Sequence, residues 1–402
     1  MRQKAAHGVS CGLGALDFLR CWVETGPQEK TTVQAPPHLS SRRGVRSVAL
    51  PSVKAPAIPK LMKAAVYRGQ NDIRIEEVPV PPVKAGQVLV KVAVCGVCPT
   101  DIKKIQTGSV PPPRIFGHET AGTIVRLGRG VRGFQVGDRV GLHHHVPCRK
   151  CHYCRHHAYA QCLQYKKTGI TAGFEPAGGG YAEYVCVSDF CLPGIVKIPM
   201  AASFIQGAML EPVNTVLKGV AQLGLRRGDV VAVYGQGPIG LLFTRILFRL
   251  GIKVLAADLI PERLAFGRRF GAKWAGQPEE LPAAALNDGP VDAAVVTVPV
   301  DAAVQEAHSL IRGAGRVLVF GHTMRGRVAG LDLGAVCVDE KAILGSYSSD
   351  IRLQPASARF CFREGRFLRE LITETYPLLR TADAVAAVSH PTGTRLKVMV
   401  AP

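Results

Sequence analysis

No apolar stretch of this chain runs long enough to cross a bilayer. The best candidate, 241–250, is broken by Arg245 and Arg249, whereas a spanning helix needs about 20 apolar residues. The chain is therefore expected to be soluble, with no membrane partner. Acids are also short: 30 Asp and Glu face 50 Lys and Arg, a formal charge of +20. That excess suits a polyanionic cofactor or substrate and gives incidental affinity for nucleic acid. No basic stripe interleaved with aromatics is present, which argues against specific nucleic-acid binding. No internal repeat is visible, and no clear secretory h-region opens the chain. With four of its 12 cysteines in one tight array, a reducing compartment, the cytoplasm, is expected.

Residues 1–61 differ from everything after them. They are rich in Arg, Lys, Ser, Pro and Ala, poor in acids, and without sustained periodicity. That composition is transit-like, which would imply organellar import. It equally fits a disordered tail, or translated sequence ahead of the true start, because Met62 directly precedes the first expected strand, 63–67. Cys11 and Cys21 are given no role. From 62 to 210 short strands and glycine turns indicate a compact, mostly antiparallel β domain, with strands at 88–95, 122–127, 138–142 and 179–187. In the first of these Val88, Val90, Val92 and Val94 alternate onto one face. A connecting helix is expected at 209–223 and an α/β unit over 211–345, with later strands at 293–298 and 316–320. Residues 346–402 carry a helix, 356–373, and a last strand, 396–400, that returns to the first domain.

The strongest local pattern spans residues 230–263, VVAVYGQGPIGLLFTRILFRLGIKVLAADLIPER. It reads strand, glycine turn, helix, strand, acid. Gly235 permits the tight turn, Gly237 lets backbone approach a pyrophosphate, and Gly240 lets helix and strand pack closely. Pro238 and Ile239 complete the GQGPIG turn as cofactor-binding candidates, and the apolar helix read at 241–250 offers its free N–H groups and positive dipole end to the phosphates. Asp258 ends the second strand, placed to accept hydrogen bonds from an adenosine ribose. A 2′-phosphate about 4 Å from it would cost up to about 4 kcal/mol at an effective dielectric near 20. NAD is therefore expected over NADP, with nearby Arg263 as a moderating cation.

Two metal constellations follow. Cys148, Cys151, Cys154 and Cys162 stand as C-x2-C-x2-C-x7-C; four thiolates close a tetrahedron round one zinc and leave no open position, a structural site. His152, His156 and His157 inside that loop are surplus to it. A second, open set is scattered: Cys98 in CGVCPTD, His118 and Glu119 in FGHE, and Glu211 in EPV. One thiolate, one imidazole and one carboxylate would leave room for water or substrate. Cys95 reads as packing, and His143, His144 and His145 as ordinary strand-end histidines, with the alternative that one of them lines the pocket.

From Met62 onward the chain resembles the zinc-dependent medium-chain alcohol/polyol dehydrogenases. GVCPTD, GHE, the cysteine lobe, EPV, GQGPIG and Asp258 fall in that family's order. The resemblance implies an α/β chain: a GroES-like, β-rich catalytic domain plus a Rossmann domain with a doubly wound parallel sheet. It puts a catalytic zinc on Cys98 and His118 with Glu119 or Glu211 completing it. Asp101 resembles the acid that orients the histidine, and Thr100 the hydroxyl that takes the substrate proton. One departure stands out: the family often has histidine where Lys103 stands, so either the proton relay ends in solvent or Lys103 serves an anionic group. The implied reaction is oxidation of a secondary alcohol or polyol, sorbitol- or iditol-like, with zinc and NAD, in a homodimer or homotetramer. L-Threonine 3-dehydrogenase uses much the same motifs; outside the class, the rival is a non-catalytic zinc-loop protein that binds nucleic acid.

Overall fold

The computed structural model describes residues 57–168, 178–321, 326, 328–390 and 392–402. The readings of residues 1–56, with Cys11 and Cys21, lie outside the described residues. The first domain is built round the strand Val88–Gly96. On one side it pairs antiparallel with Glu119–Leu127; on the other it pairs with Tyr184–Val187 and then with the last strand, Lys397–Ala401. Covered on both faces, it does not keep the simple alternation expected of it. Val88, Val90 and Val92 share one cluster, but Val94 joins the core that continues into the second domain. The register against Glu119–Leu127 shifts between Val92 and Val94, and one extra residue sends the next side chain to the opposite face. Cys95 is buried as expected, packed with Tyr67, Phe116 and Tyr181.

The ordered domain begins ahead of Met62. Leu61 pairs with Pro79 at the start of the strand Leu61–Gly69. The amide of Val80 donates to the Lys60 carbonyl at 3.0 Å, and Ile58 packs beside Leu89 and Val125. Met62 therefore lies inside a strand, not in front of one.

The second domain is a six-stranded, all-parallel sheet. Across it run Trp274–Gly276, Lys253–Ala257, Val230–Tyr234, Val291–Val296, Ile311–Val319 and Ala342–Gly345. Numbered by chain order this is 3-2-1-4-5-6, the doubly wound arrangement. Its direction reverses between Val230–Tyr234 and Val291–Val296, and ligands bind at the carboxyl ends of the strands at such a switch. Val230–Tyr234 is buried along its whole length, as a strand covered on both faces must be. Helix Pro238–Arg249 lays Leu241, Leu242, Phe243, Ile246 and Leu247 on it. Arg245 and Arg249, which interrupt the apolar run, both pair with Glu364.

That pairing corrects one expectation. The helix read at 356–373 is two helices, Gln354–Arg363 and Gly365–Leu371, followed by the strand Ile372–Pro377. Glu364 sits at the break with φ −93° and ψ 33°, and its carboxylate is held by the two arginines. Helix Leu210–Leu223 bridges the two domains and packs against Gln354–Arg363.

Candidate active site

Cys98 ends the crossing from Val88–Gly96 and stands at the N-terminal boundary of helix Pro99–Thr107. Asp101, in that helix's first turn, is fully buried. Its Oδ1 lies 3.1 Å from His118 Nδ1, and its Oδ2 accepts from the Gly117 amide at 3.2 Å. One ring nitrogen of His118 is thus occupied and the other is left for the cavity. Burial works against a charged His118, yet Asp101 and Cys98 hold it well above the usual histidine range.

Donor atoms of Cys98, His118 and Glu119 all lie within 4.8 Å of one another. Gly96 makes that closure possible, because a Cβ there would meet Glu119 Oε2 at 1.9 Å. Glu119 is also clasped by Lys397, whose Nζ lies 2.7 Å from Oε1 and 2.5 Å from Oε2 and donates to the Val97 carbonyl at 2.9 Å. Glu211, the other candidate carboxylate, is not in this cluster. It stands on the wall of the same cavity with its Oε1 3.6 Å from His145 Nε2. Burial pushes its carboxyl up to about 7.

The cavity holds about 480 Å³ between the two domains, and Thr100 and Lys103 line it beside Cys98 and His118. His144 and His145 line it too, contrary to the strand-end reading. All three histidines are buried. The His118 and His144 rings are 5.2 Å apart between centroids. Ser349 links His143 Nε2, at 2.8 Å, to His145 Nδ1, at 2.5 Å. A hydroxyl has one proton, so it donates to one ring and accepts from the other, fixing which nitrogen of His145 faces Glu211. The signal available in sequence was three successive histidines between a strand and the cysteine array. Ser349, more than 200 residues away, carried none.

The glycine turn has the expected form. Gly235 adopts φ +90°, and a Cβ on Gly240 would sit 1.8 Å from the Gly235 carbonyl oxygen. Gly237 precedes helix Pro238–Arg249 with no side-chain cap, so the helix amides stay free for a ligand. Gly237, Pro238, Ile239 and Arg263 line the cavity, while Gly235 and Gly240 support the turn from behind. Asp258 is engaged more tightly than a ribose acceptor at an open strand tip. Its Oδ2 accepts from the Gln236 amide at 2.6 Å and its Oδ1 from Ile260 at 2.9 Å. A carboxylate has about four acceptor positions, so two are left over.

In the cysteine lobe the Cys148, Cys151, Cys154 and Cys162 sulfurs also lie within 4.8 Å of each other. The amides of Cys148 and Cys151 donate to the sulfurs of Cys162 and Cys148. Backbone hydrogen bonds push the Cys151 thiol down to about 6, whereas burial pushes its neighbour Cys154 up to about 12. His152, His156 and His157 are exposed. Directly after Cys162, helix Leu163–Thr168 sets Tyr165 edge-on against His145, 4.9 Å between centroids. The lobe therefore supplies part of the cavity wall.

Residues 84–199 match the alcohol dehydrogenase GroES-like domain and residues 238–360 the zinc-binding dehydrogenase family. The chain belongs to the zinc-binding dehydrogenases and is an oxidoreductase of the alcohol dehydrogenase type. It is 30% identical over 359 residues to a sorbitol dehydrogenase of Bacillus subtilis (strain 168), covering 86% of this chain and 98% of the relative. Among solved structures, a zinc-binding dehydrogenase from Sinorhizobium meliloti 1021 bound to NADP superposes with TM-score 0.78 at 25% identity. It covers 86% of this chain and 100% of its own. The 2R,3R-butanediol dehydrogenase of Bacillus subtilis superposes with TM-score 0.75 at 28% identity, over 85% and 99%.

Proposed function

We propose that this chain oxidises a secondary alcohol or polyol, sorbitol- or iditol-like, and reduces NAD. The observation that carries the reading is the triad Cys98, His118 and Glu119, its donors within 4.8 Å, on a cavity that the Gly237 turn also lines. Zinc held there supplies Lewis acidity that lowers the pKa of an alcohol, and NAD supplies the hydride acceptor. Glu119 is favoured over Glu211 as third ligand by that clustering. Asp101 fixes the ring of His118, Thr100 takes the substrate proton at its hydroxyl, and the neutral wall of His144, His145 and Tyr165 keeps water out. Lys103, standing where the family often has histidine, lines the same cavity, so the path from Thr100 ends in solvent. Cys148, Cys151, Cys154 and Cys162 hold a structural zinc. Asp258 favours NAD, with Arg263 beside the turn, so both cofactors belong in the assay.

The chain acts in the cytoplasm as a homodimer or homotetramer. The compartment is supported by the described cysteines, all free, and by the lack, among the described residues, of a helix long and apolar enough to cross a membrane. Assembly is supported by the outermost strand Ala342–Gly345 and by helix Leu333–Val338, which buries none of its residues. The test is a screen of NAD and NADP reduction over polyols, simple alcohols and L-threonine, with metal content measured. A secondary polyol should be oxidised with zinc present, and Cys98→Ser should abolish turnover while NADH binding, read by fluorescence, persists. Full turnover in Cys98→Ser would remove the metal assignment.

A further inference from the structure

The cavity is lined by more positive than negative charge. Lys103, Lys104, Arg263, Arg395 and Lys397 reach it, against the carboxylates of Glu119 and Glu211. Two of the cations are engaged elsewhere. Lys397 is clasped to Glu119; Arg395 donates to Glu374 at 2.7 Å and to the Ala387 carbonyl at 3.0 Å. Arg263 lies against the glycine turn, its Nη1 3.8 Å from where a Cβ on Gly237 would stand and its buried Nε without a hydrogen-bond partner among the described residues, where the phosphates of a dinucleotide would meet it. Lys104 differs from these. It is half-buried, lines the cavity, and has no hydrogen-bond or ion-pair partner among the described residues, the Asp101 carboxylate acting on it only through space. It follows Thr100 by four positions on helix Pro99–Thr107, and residues so spaced share a helix face about 6 Å apart. The hydroxyl that meets the reacting alcohol and an unpaired ammonium therefore look into one space.

A half-buried charge without a partner is costly unless the occupant of the cavity supplies one. A neutral polyol offers Lys104 only hydroxyl oxygens; a carboxylate or phosphate offers a charge-assisted hydrogen bond, roughly twice as strong. We infer that the alcohol oxidised here bears an anionic group, a sugar acid or a sugar phosphate, seated on Lys104. This rests on the polyol-dehydrogenase reading above. The net charge of +20 acts in the same direction, drawing anions to the cleft at low salt.

The test compares a neutral hexitol, its terminal phosphate ester and the corresponding hydroxy acid, with the full chain as wild type, Lys104→Gln and Lys104→Arg. One anionic substrate should exceed the hexitol in kcat/KM by about tenfold or more, and which one does so identifies the group. Lys104→Gln should collapse that ratio, chiefly through KM, with KM for NAD unmoved; Lys104→Arg should keep most of it. Equal use of charged and neutral alcohols would overturn the inference, as would a Lys104→Gln variant that loses on all three alike or loses NAD instead. If the hexitol is still oxidised in that case, the polyol reading stands; if none of the three is oxidised, both fall.

Discussion

Lys397 and Glu119 form an ion pair almost sealed from water, their side chains 6% and 2% exposed. Breaking such a pair from one side strands a charge and costs about 3–5 kcal/mol, whereas removing both charges costs far less. In the metal-free protein Lys397→Met should lower stability by that amount in urea denaturation, and Lys397→Met with Glu119→Gln should recover most of it. An unchanged midpoint in the single variant would refute the pair's role. Glu119 was visible in the sequence as a neighbour of His118. Lys397, 278 positions away, was not, because it arrives only through the pairing of Met399 with Gly96. The histidines show the same limit. Their residue type was legible, but their entry into the cavity depends on Ser349 and Tyr165, brought from elsewhere in the chain.

Strand Val230–Tyr234, its glycine turn and helix Pro238–Arg249 were legible almost entirely from sequence, since the strand, turn, helix, second strand and acid that make the pattern follow one another within about 30 residues; the pairing with Val291–Val296 and the Thr297 hydroxyl behind the turn were not. The tightest point is Gly240 against the Gly235 carbonyl. Gly240→Ala must push the helix start off the strand, and a shift of about 1 Å at a positioning element can cost about a hundredfold. NADH affinity, measured by fluorescence titration, should fall by about tenfold or more while zinc content holds. Normal NADH affinity in Gly240→Ala would show that the turn does not seat the cofactor. Elements set by distant partners were read less well. The helix break at Glu364 is held by Arg245 and Arg249 from another domain and carried only one local signal, Gly365, and the bulge in Val88–Gly96 follows from its register with Glu119–Leu127, with no local signature.

At the level of the whole molecule, buried histidines tie stability to acidity. Burial pushes His143 down to about 3 and keeps His144 and His145 well below their ordinary value. Unfolded, each would take a proton near pH 6.5. Below about that pH the unfolded state binds more protons than the native one, so stability falls as pH drops. Each histidine adds a slope of about 1.4 kcal/mol per pH unit. The three together should give a loss of about 4 kcal/mol per unit between about pH 6 and 5, measured by urea denaturation of the zinc-loaded protein. His144→Phe should flatten that slope by about one third; an identical slope would mean the ring is solvated. The two-domain layout was legible because strand-rich and alternating segments follow one another along the chain, but the domain seam was not, being made of side chains from both.

The strand Lys397–Ala401 belongs to the sheet whose other members lie within residues 88–197, apart from its neighbour Ile372–Pro377. During synthesis the parallel sheet, contiguous in the chain, can complete itself while the earlier-made half still lacks two strands. Until those strands emerge from the ribosome, Glu119 has no counter-ion and Gly96 no neighbour at Met399. The sheet that carries Cys98, His118 and Glu119 is thereby closed by the latest of the described strands, after the parallel sheet is already in hand.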